Sequence, residues 1–164
     1  MKSVAKVAVA LFFMAGAFGQ VISVSTNAKV VVPSADSYLS GGKIVLTFNE
    51  PYTPSTPHVI SFGILTPLVK FDTDRAPAAY RDSYSRNELT SGWTGNRQFN
   101  VTVDSAPYST EFKTIHVEGF VLDVLGSGLV AGDKVMIQIV SQDDQFTFSN
   151  PEVILVRVGS AKVR

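Results

Sequence analysis

Leu129 to Val158 reads LVAGDKVMIQIVSQDDQFTFSNPEVILVRV. Val135, Ile137 and Ile139 alternate with Lys134, Met136 and Gln138, and Ile154, Val156 and Val158 alternate with Val153, Leu155 and Arg157. A period of two belongs to strands, whose side chains point to opposite faces in turn. The link between them, Ser141 to Pro151, carries Asp143, Asp144, Asn150 and Pro151, all turn formers, with Phe146 and Phe148 as a short strand. The chain thus closes as paired β-structure with one apolar face, which needs a second sheet to cover it.

Outward from that stretch the pattern continues. Gln98 to Val103 is a half-buried strand with Phe99, Val101 and Val103 inward, and Asn100-Val101-Thr102 is an N-glycosylation sequon whose Asn100 points outward. Glu111 to Leu125 changes phase at Gly119; a bulge there puts Ile115, Val117, Phe120, Leu122 and Val124 on the core side. Toward the N-terminus, Lys43 to Phe48 points Ile44, Leu46 and Phe48 inward, and His58 to Ile64 does the same with Ile60, Phe62 and Ile64. Pro67 to Phe71 either continues that strand or crosses to the other sheet. Pro51, Pro54 and Pro57 make the intervening segment an extended or turning connector. Lys29 to Val32, ended by Pro33, reads as an opening edge strand.

From Asp72 to Asn96 the periodicity disappears for longer than a compact domain ordinarily allows, which marks a loop with a function or with mobility. The count is about eight or nine short strands and no helix after the first 19 residues, so the expected fold is an all-β, antiparallel, immunoglobulin-like sandwich. A barrel with a ligand cavity is the main alternative.

Met1 to Gly19 has a positive start at Lys2 and Lys6, an apolar run from Val7 to Phe13 and small residues at Ala17 and Gly19, the three parts of a secretory signal. The mature chain is expected to begin at Gln20, secreted to an extracellular or cell-wall location. No later stretch approaches the roughly 20 apolar residues of a membrane span. The 164 residues suit a single domain over 20–164, with 45% hydrophobic content to fill its core. No cysteine is present, which excludes disulfides and thiolate chemistry. Basic and acidic residues balance at 14 each without a basic run, against a nucleic-acid or anionic-membrane partner. The polar end, Gly159 to Arg164, argues against a lipid anchor signal.

Two segments, KVVVPSADSYLSGGKIVLTF (Lys29 to Phe48) and Val130 to Val158 with AGDKVMIQIVS and FSNPEVILV, resemble the opening and closing strands of the immunoglobulin-like domain in fungal Ser/Thr-rich, GPI-anchored cell-wall proteins. The departures are Phe48 where that family tends to have tryptophan, and the lack of a Ser/Thr-rich stalk and an anchor signal; Pro51 to Thr110 has no counterpart. The resemblance implies a secreted sandwich associated with a wall or matrix. It brings no catalytic residue with it.

Candidate chemistry is sparse. His116 shares strand parity with Glu118 and Thr114, one element of acid–base or metal chemistry, but reads as an exposed polar face because no third group completes it. His58 is the other histidine. No nucleophile elbow, phosphate loop, zinc spacing or cofactor motif occurs, so neither an enzyme nor a cofactor is expected. Asp72, Asp74 and Asp82, with Asp143 and Asp144, could offer oxygen ligands to calcium, but they lack an EF-hand spacing and read as solvated turn residues; no metal is expected. The Asp72 to Asn96 loop carries the strongest signal: Tyr80, Tyr84 and Trp93 among Arg75, Arg81, Arg86 and Arg97, the residue types enriched at binding hot spots. Aromatic faces also stack on sugar rings. The opposing reading folds these aromatics back to cap an open end of the sandwich. The expected function is therefore non-catalytic binding of a cell-wall or matrix glycan, or of a wall protein, through Tyr80, Tyr84, Trp93, Arg81 and Arg86. A secreted effector or adhesion module that binds an extracellular protein is the alternative, and a small glycan-active enzyme pairing Glu118 with a loop aspartate is a distant third.

Overall fold

The computed structural model describes residues 19–32, 38–82, 89–104 and 111–160. In chain order its strands are Gln20–Asn27 (β1), Lys29–Val31 (β2), Tyr38–Ser40 (β3), Lys43–Tyr52 (β4), His58–Ile64 (β5), Lys70–Phe71 (β6), Ala78–Arg81 (β7) and Thr90–Trp93 (β8). They continue with Gln98–Val103 (β9), Phe112–Glu118 (β10), Val121–Asp123 (β11), Lys134–Ser141 (β12), Phe146–Phe148 (β13) and Glu152–Val158 (β14). No helix occurs among the described residues, and hence none that is long and apolar enough to cross a membrane.

The strands form a five-stranded sheet, β13-β1-β4-β10-β7, a six-stranded sheet, β2-β14-β12-β5-β9-β8, and a three-stranded sheet, β3-β11-β6. The expected all-β sandwich is the fold observed, and the sheets are open rather than closed into a barrel. Pairing is antiparallel except where β1 meets β13 and β2 meets β14, both at sheet edges. The strand count exceeds the expected eight or nine because β10 and β11 are separate strands in different sheets, and because the short strands β3, β7 and β8 lie in segments expected to be loop, Ser34 to Gly42 and Asp72 to Asn96.

The breaks between β3 and β4 and between β10 and β11 lie side by side, with the Gly41 amide donating to the Phe120 carbonyl at 2.7 Å. Gly119 turns the chain at φ 89°, a conformation that suits only glycine well. A Cβ on Gly42 would stand 2.1 Å from the Asn27 carbonyl oxygen, so only a bare backbone passes there. Ile115, Val117, Phe120 and Leu122 are all buried, as the phase change at Gly119 requires, but by a break between sheets instead of a bulge within one strand.

Alternation places the core as expected: Ile44, Leu46 and Phe48; Ile60, Phe62 and Ile64; Phe99, Val101 and Val103; Val135, Ile137 and Ile139 are buried. In β14 the inward set differs. Its pairing with β12 shifts between Val135 and Met136, so parity switches mid-strand; Val153 and Leu155 are buried above the shift, Val156 and Val158 below it, and Ile154 is only half-buried. Two aromatic clusters fill the interior. Phe48, Tyr52, Phe112 and Phe146 occupy one end, and Phe62, Phe71, Trp93, Phe99 and Phe120 the other.

The region from Asp72 to Asn96 is not one continuous loop. It contains β7, an edge strand of the five-stranded sheet, and β8, an edge strand of the six-stranded sheet. Both have four residues, and neither alternates apolar with polar: AAYR turns an arginine inward, and TSGW has a single apolar side chain. Edge strands this short leave no periodic signal. Pro67 to Phe71 crosses to the small sheet, ending in β6.

Candidate functional site

Register across the five-stranded sheet sets Val45 of β4 beside His116 of β10, and His116 beside Tyr80 of β7. Since Ile44, Leu46, Ile115, Val117, Ala79 and Arg81 face the core, the alternate residues Lys43, Val45, Thr114, His116, Glu118 and Tyr80 face outward. They interlock. Lys43 Nζ donates to the Tyr80 hydroxyl at 2.9 Å and lies 3.4 Å from a Glu118 carboxylate oxygen, while the Tyr80 hydroxyl donates to the other Glu118 oxygen at 3.1 Å. The Tyr80 and His116 rings stand side by side, centroids 5.1 Å apart and nearly parallel, at the spacing of adjacent strands. Lys43 Nζ is also 5.3 Å from the Tyr80 centroid, but a group bonded to the hydroxyl at 2.9 Å lies off the ring's end, so the hydrogen bond is the operative contact.

The hydrogen bond to Tyr80 raises the Lys43 ammonium above its usual value, burial opposing and Glu118 assisting. His116 is pushed the other way, first by burial and then by the Lys43 charge, against the weaker pull of Asp82 and Glu118. Its Nε2 is 3.1 Å from Thr114 Oγ1, while Nδ1 is shielded and without a partner among the described residues. The network assigns the proton to Nε2, because a bare lone pair is cheaper to leave unpaired than an N–H. Because the folded ring's value is lowered, the unfolded chain takes up the second imidazole proton first as pH falls. Stability from His116 is full above its ordinary value of 6.5 and is lost as pH falls through the lower folded value. Urea unfolding across that range should show this slope, and His116→Asn should flatten it; an unchanged slope would mean another group is titrating.

Of the residues expected to bind, Tyr80 alone among those described lies in this outward cluster. Arg81 is its neighbour on β7 but points inward and is 2% exposed. It donates to the Asp104 carbonyl, lies 3.3 Å from the Asp104 carboxylate and covers the Phe112 ring at 4.6 Å. Trp93 is on the other sheet and packs against Phe71 and Phe99 at 5.0 and 4.9 Å. Tyr84 and Arg86 lie outside the described residues. Arg97 donates to the carbonyls of Ile64, Thr66 and Val69, clipping the β5–β6 turn, and Arg75 pairs with Asp72 at 3.4 Å. The loop site thus divides: Tyr80 stands on an outer face, whereas Arg81 and Trp93 hold the fold. Trp93→Ala is expected to cost about 2 kcal/mol of stability, below the full aromatic truncation range because its ring is half-buried. Thermal unfolding checks this, and an unshifted midpoint would return Trp93 to the surface.

Asn100 points outward from β9, as its parity requires. Its Nδ2 donates to Thr94 Oγ1 at 2.9 Å and its Oδ1 accepts from Ser61 and Gln98.

Other constellations resolve into structure. Glu118 pairs with Ala78, and Asp82 lies four residues along the same edge, roughly 13 Å away at about 3.3 Å per residue. Glycosidase carboxyls stand closer than that. Among the described residues no three His, Asp or Glu side chains converge on a metal position. His58 does have partners, which sequence reading missed: Nδ1 meets Asp143 Oδ2 at 2.5 Å and Nε2 lies 3.3 Å from Thr56 Oγ1. Burial alone would raise the Asp143 carboxyl, but hydrogen bonds from His58, Ser141 and the Gln145 amide outweigh it and hold the carboxyl below its usual value. Tyr52 and Phe146 pack against the imidazole, so this relay ties the turn after β12 to β5 and closes that end of the core.

No family model matches the chain, and no curated protein matches it. Two solved structures are similar to it, each 10% identical. One is the collagen-binding domain from a Staphylococcus aureus adhesin, with a TM-score of 0.45 over 73% of this chain and 83% of that one. The other is CaCohA2 from Clostridium acetobutylicum, with a TM-score of 0.46 over 86% of this chain and 92% of that one. Both likenesses concern the layout of the strands, and the chain they resemble is an all-β sandwich.

Proposed function

We propose that this chain is a non-catalytic, secreted binding module that associates with a cell wall or extracellular matrix by holding glycan on the outer face of its five-stranded sheet. The observation that supports this is the Lys43–Tyr80–Glu118 triangle with the Tyr80–His116 stack. These groups sit on the solvent side, contribute nothing to the core, and hold a hydroxyl, an ammonium, a carboxylate and flat rings in fixed mutual positions. Sugar recognition needs that mixture of donors, acceptors and rings. Secretion rests on the signal-like Met1 to Gly19, and the wall association on the resemblance of Lys29 to Phe48 and Val130 to Val158 to fungal wall proteins. Outward-facing Asn100 remains the proposed glycan acceptor.

Sedimentation of the 20–164 chain with chitin, β-glucan, cellulose and gelled polygalacturonate tests the reading. At least one polymer should carry the protein down, and Tyr80→Ala should abolish this while leaving the unfolding midpoint in place. Pelleting undiminished in Tyr80→Ala would overturn the site.

One observation favours the second reading, an adhesion or effector module that binds an extracellular protein. The Ile22 carbonyl accepts from the Ser149 amide beyond β13, so Val24 and Thr26 turn their backbone groups the same way, past the end of β13. The Pro151 carbonyl faces β12, so Glu152 and Ile154 face the opposite side, where β2 pairs only with Val156 to Val158. These edges border a cleft of ≈ 380 Å³ that an extended peptide could enter by strand addition. Capture of a defined extracellular protein, blocked by Thr26→Pro, would support this reading over the first.

A further inference from the structure

Beside the Tyr80 cluster, where β3 breaks from β4 and β10 from β11, the surface opens into a cleft of ≈ 420 Å³ lined by Lys29, Ser40, Lys43, Glu118 and the bare backbone at Gly41–Gly42 and Gly119. Lys43 and Glu118 belong both to this lining and to the Tyr80 triangle, so cleft and cluster form one continuous surface. We propose that the glycan held there is acidic, a uronate-bearing polysaccharide whose carboxylate is bound by Lys29. This rests on the glycan reading above.

The charges decide the ligand class. Two ammonium groups and one carboxylate line the cleft, and the carboxylate is already engaged with Lys43 and Tyr80. Lys29 is exposed and has no ion pair or hydrogen bond among the described residues. It therefore supplies to the lining of the cleft a positive charge that no described residue neutralises. The amides of Gly41 and Gly42 are spent on the Phe120 and Leu155 carbonyls, so the buried glycines put no side chain and no unpaired amide into the cleft between Lys29 and Glu118. The Ser40 and Tyr80 hydroxyls and Glu118 can exchange hydrogen bonds with ring hydroxyls, and Lys29 can bind the carboxylate at the ring's edge. A hydrogen bond to a charged group is worth more than a neutral one, so a carboxylate should raise affinity above that of the same polymer without it.

The test uses the 20–164 chain and two soluble probes with one backbone, polygalacturonate and its fully methyl-esterified form, with affinity measured calorimetrically. Polygalacturonate should bind about tenfold tighter than the ester, as expected for loss of one charge-assisted contact. Lys29→Gln should remove that preference, and rising ionic strength should reduce it. Tyr80→Ala should weaken both probes. Equal affinity for the two probes, or a preference that survives in Lys29→Gln, overturns the acidic-ligand inference while a Tyr80-dependent glycan site stands. Binding of neutral polymers alone does the same. Binding of neither probe nor any neutral polymer overturns both. Lys29→Arg, which keeps the charge, should retain the preference and so separates loss of charge from a local distortion of β2.

Discussion

Arg81→Ala is expected to lower the unfolding free energy by about 3 kcal/mol, a large share of the roughly 5–15 kcal/mol that holds a domain of this size. The side chain is buried from the edge strand β7, yet it carries a charge. Burial lowers its proton affinity and the Asp104 carboxylate partly restores it. Truncation removes two contacts to Asp104, leaves the Asp104 carbonyl without its donor, and opens a cavity against the Phe112 ring. Each loss acts in the same direction. Arg81→Met, which keeps the volume and removes the charge, should recover much of the loss, because replacing a buried ionic group with an apolar one of similar size is often nearly neutral. Urea unfolding with an unchanged slope would measure both variants. A loss below about 1 kcal/mol in Arg81→Ala would show that the guanidinium costs as much to bury as it returns.

Phe48→Ala should cost more, about 3–5 kcal/mol, the range for a fully buried aromatic cut to a methyl. Phe48 is completely enclosed, with Tyr52 stacked on it at 5.2 Å and Phe112 and Phe146 edge-on at 5.3 and 5.6 Å. It touches the other three, as Tyr52 also does, but Phe48 alone of these two is fully enclosed. Phe146 lies on the three-residue strand β13, whose hold on β1 is parallel and short, so removing Phe48 should loosen that edge first. Hydrogen exchange of the β13 amides would rise ahead of the global transition. Phe48→Leu keeps most of the volume and should lose far less. If thermal unfolding found the two variants alike, ring packing would not be the source of the stability.

The fold was legible wherever one face of a strand is buried and the other wet. Phe99, Val101 and Val103, or Ile60, Phe62 and Ile64, announce their strands through alternation and sit inward as expected. Legibility failed where strands are too short to repeat, as in β7 and β8, and where a register shift swaps parity, as at Leu155 in β14. The candidate site was half legible for a different reason. Tyr80 stood out by residue type, and Thr114, His116 and Glu118 by shared parity, but these were separate clues because only the β4–β10–β7 pairing brings them together. Lys43 and Lys29 gave no local sign. Tyr, Trp and Arg in a segment without periodicity cannot by composition reveal which of them face inward, and so the burial of Arg81 and the packing of Trp93 on Phe71 and Phe99 were not legible. His58 and Asp143 meet across 85 residues of chain, a proximity that no spacing rule would anticipate.

The parallel pairing of the first strands with the last governs when the protein can be completed during synthesis. β1 is flanked by β4 on one side and by β13 on the other, and β2 pairs with β14, so each of these early strands has a partner in a segment made much later. The five-stranded sheet is not complete before Phe148 is available, and the six-stranded sheet not before Val158. Until then Val30 and its neighbours on β2 form a strand without a partner, and β1 is paired on its β4 side alone, the state in which β-rich chains pair wrongly with one another. Such a chain should fold slowly, and only once β14 has been made, because the cost of closing its longest loop precedes the contacts that reward it. A nascent chain stalled before Glu152 should accordingly be digested by protease throughout, and one extended past Val158 should become resistant in a single step.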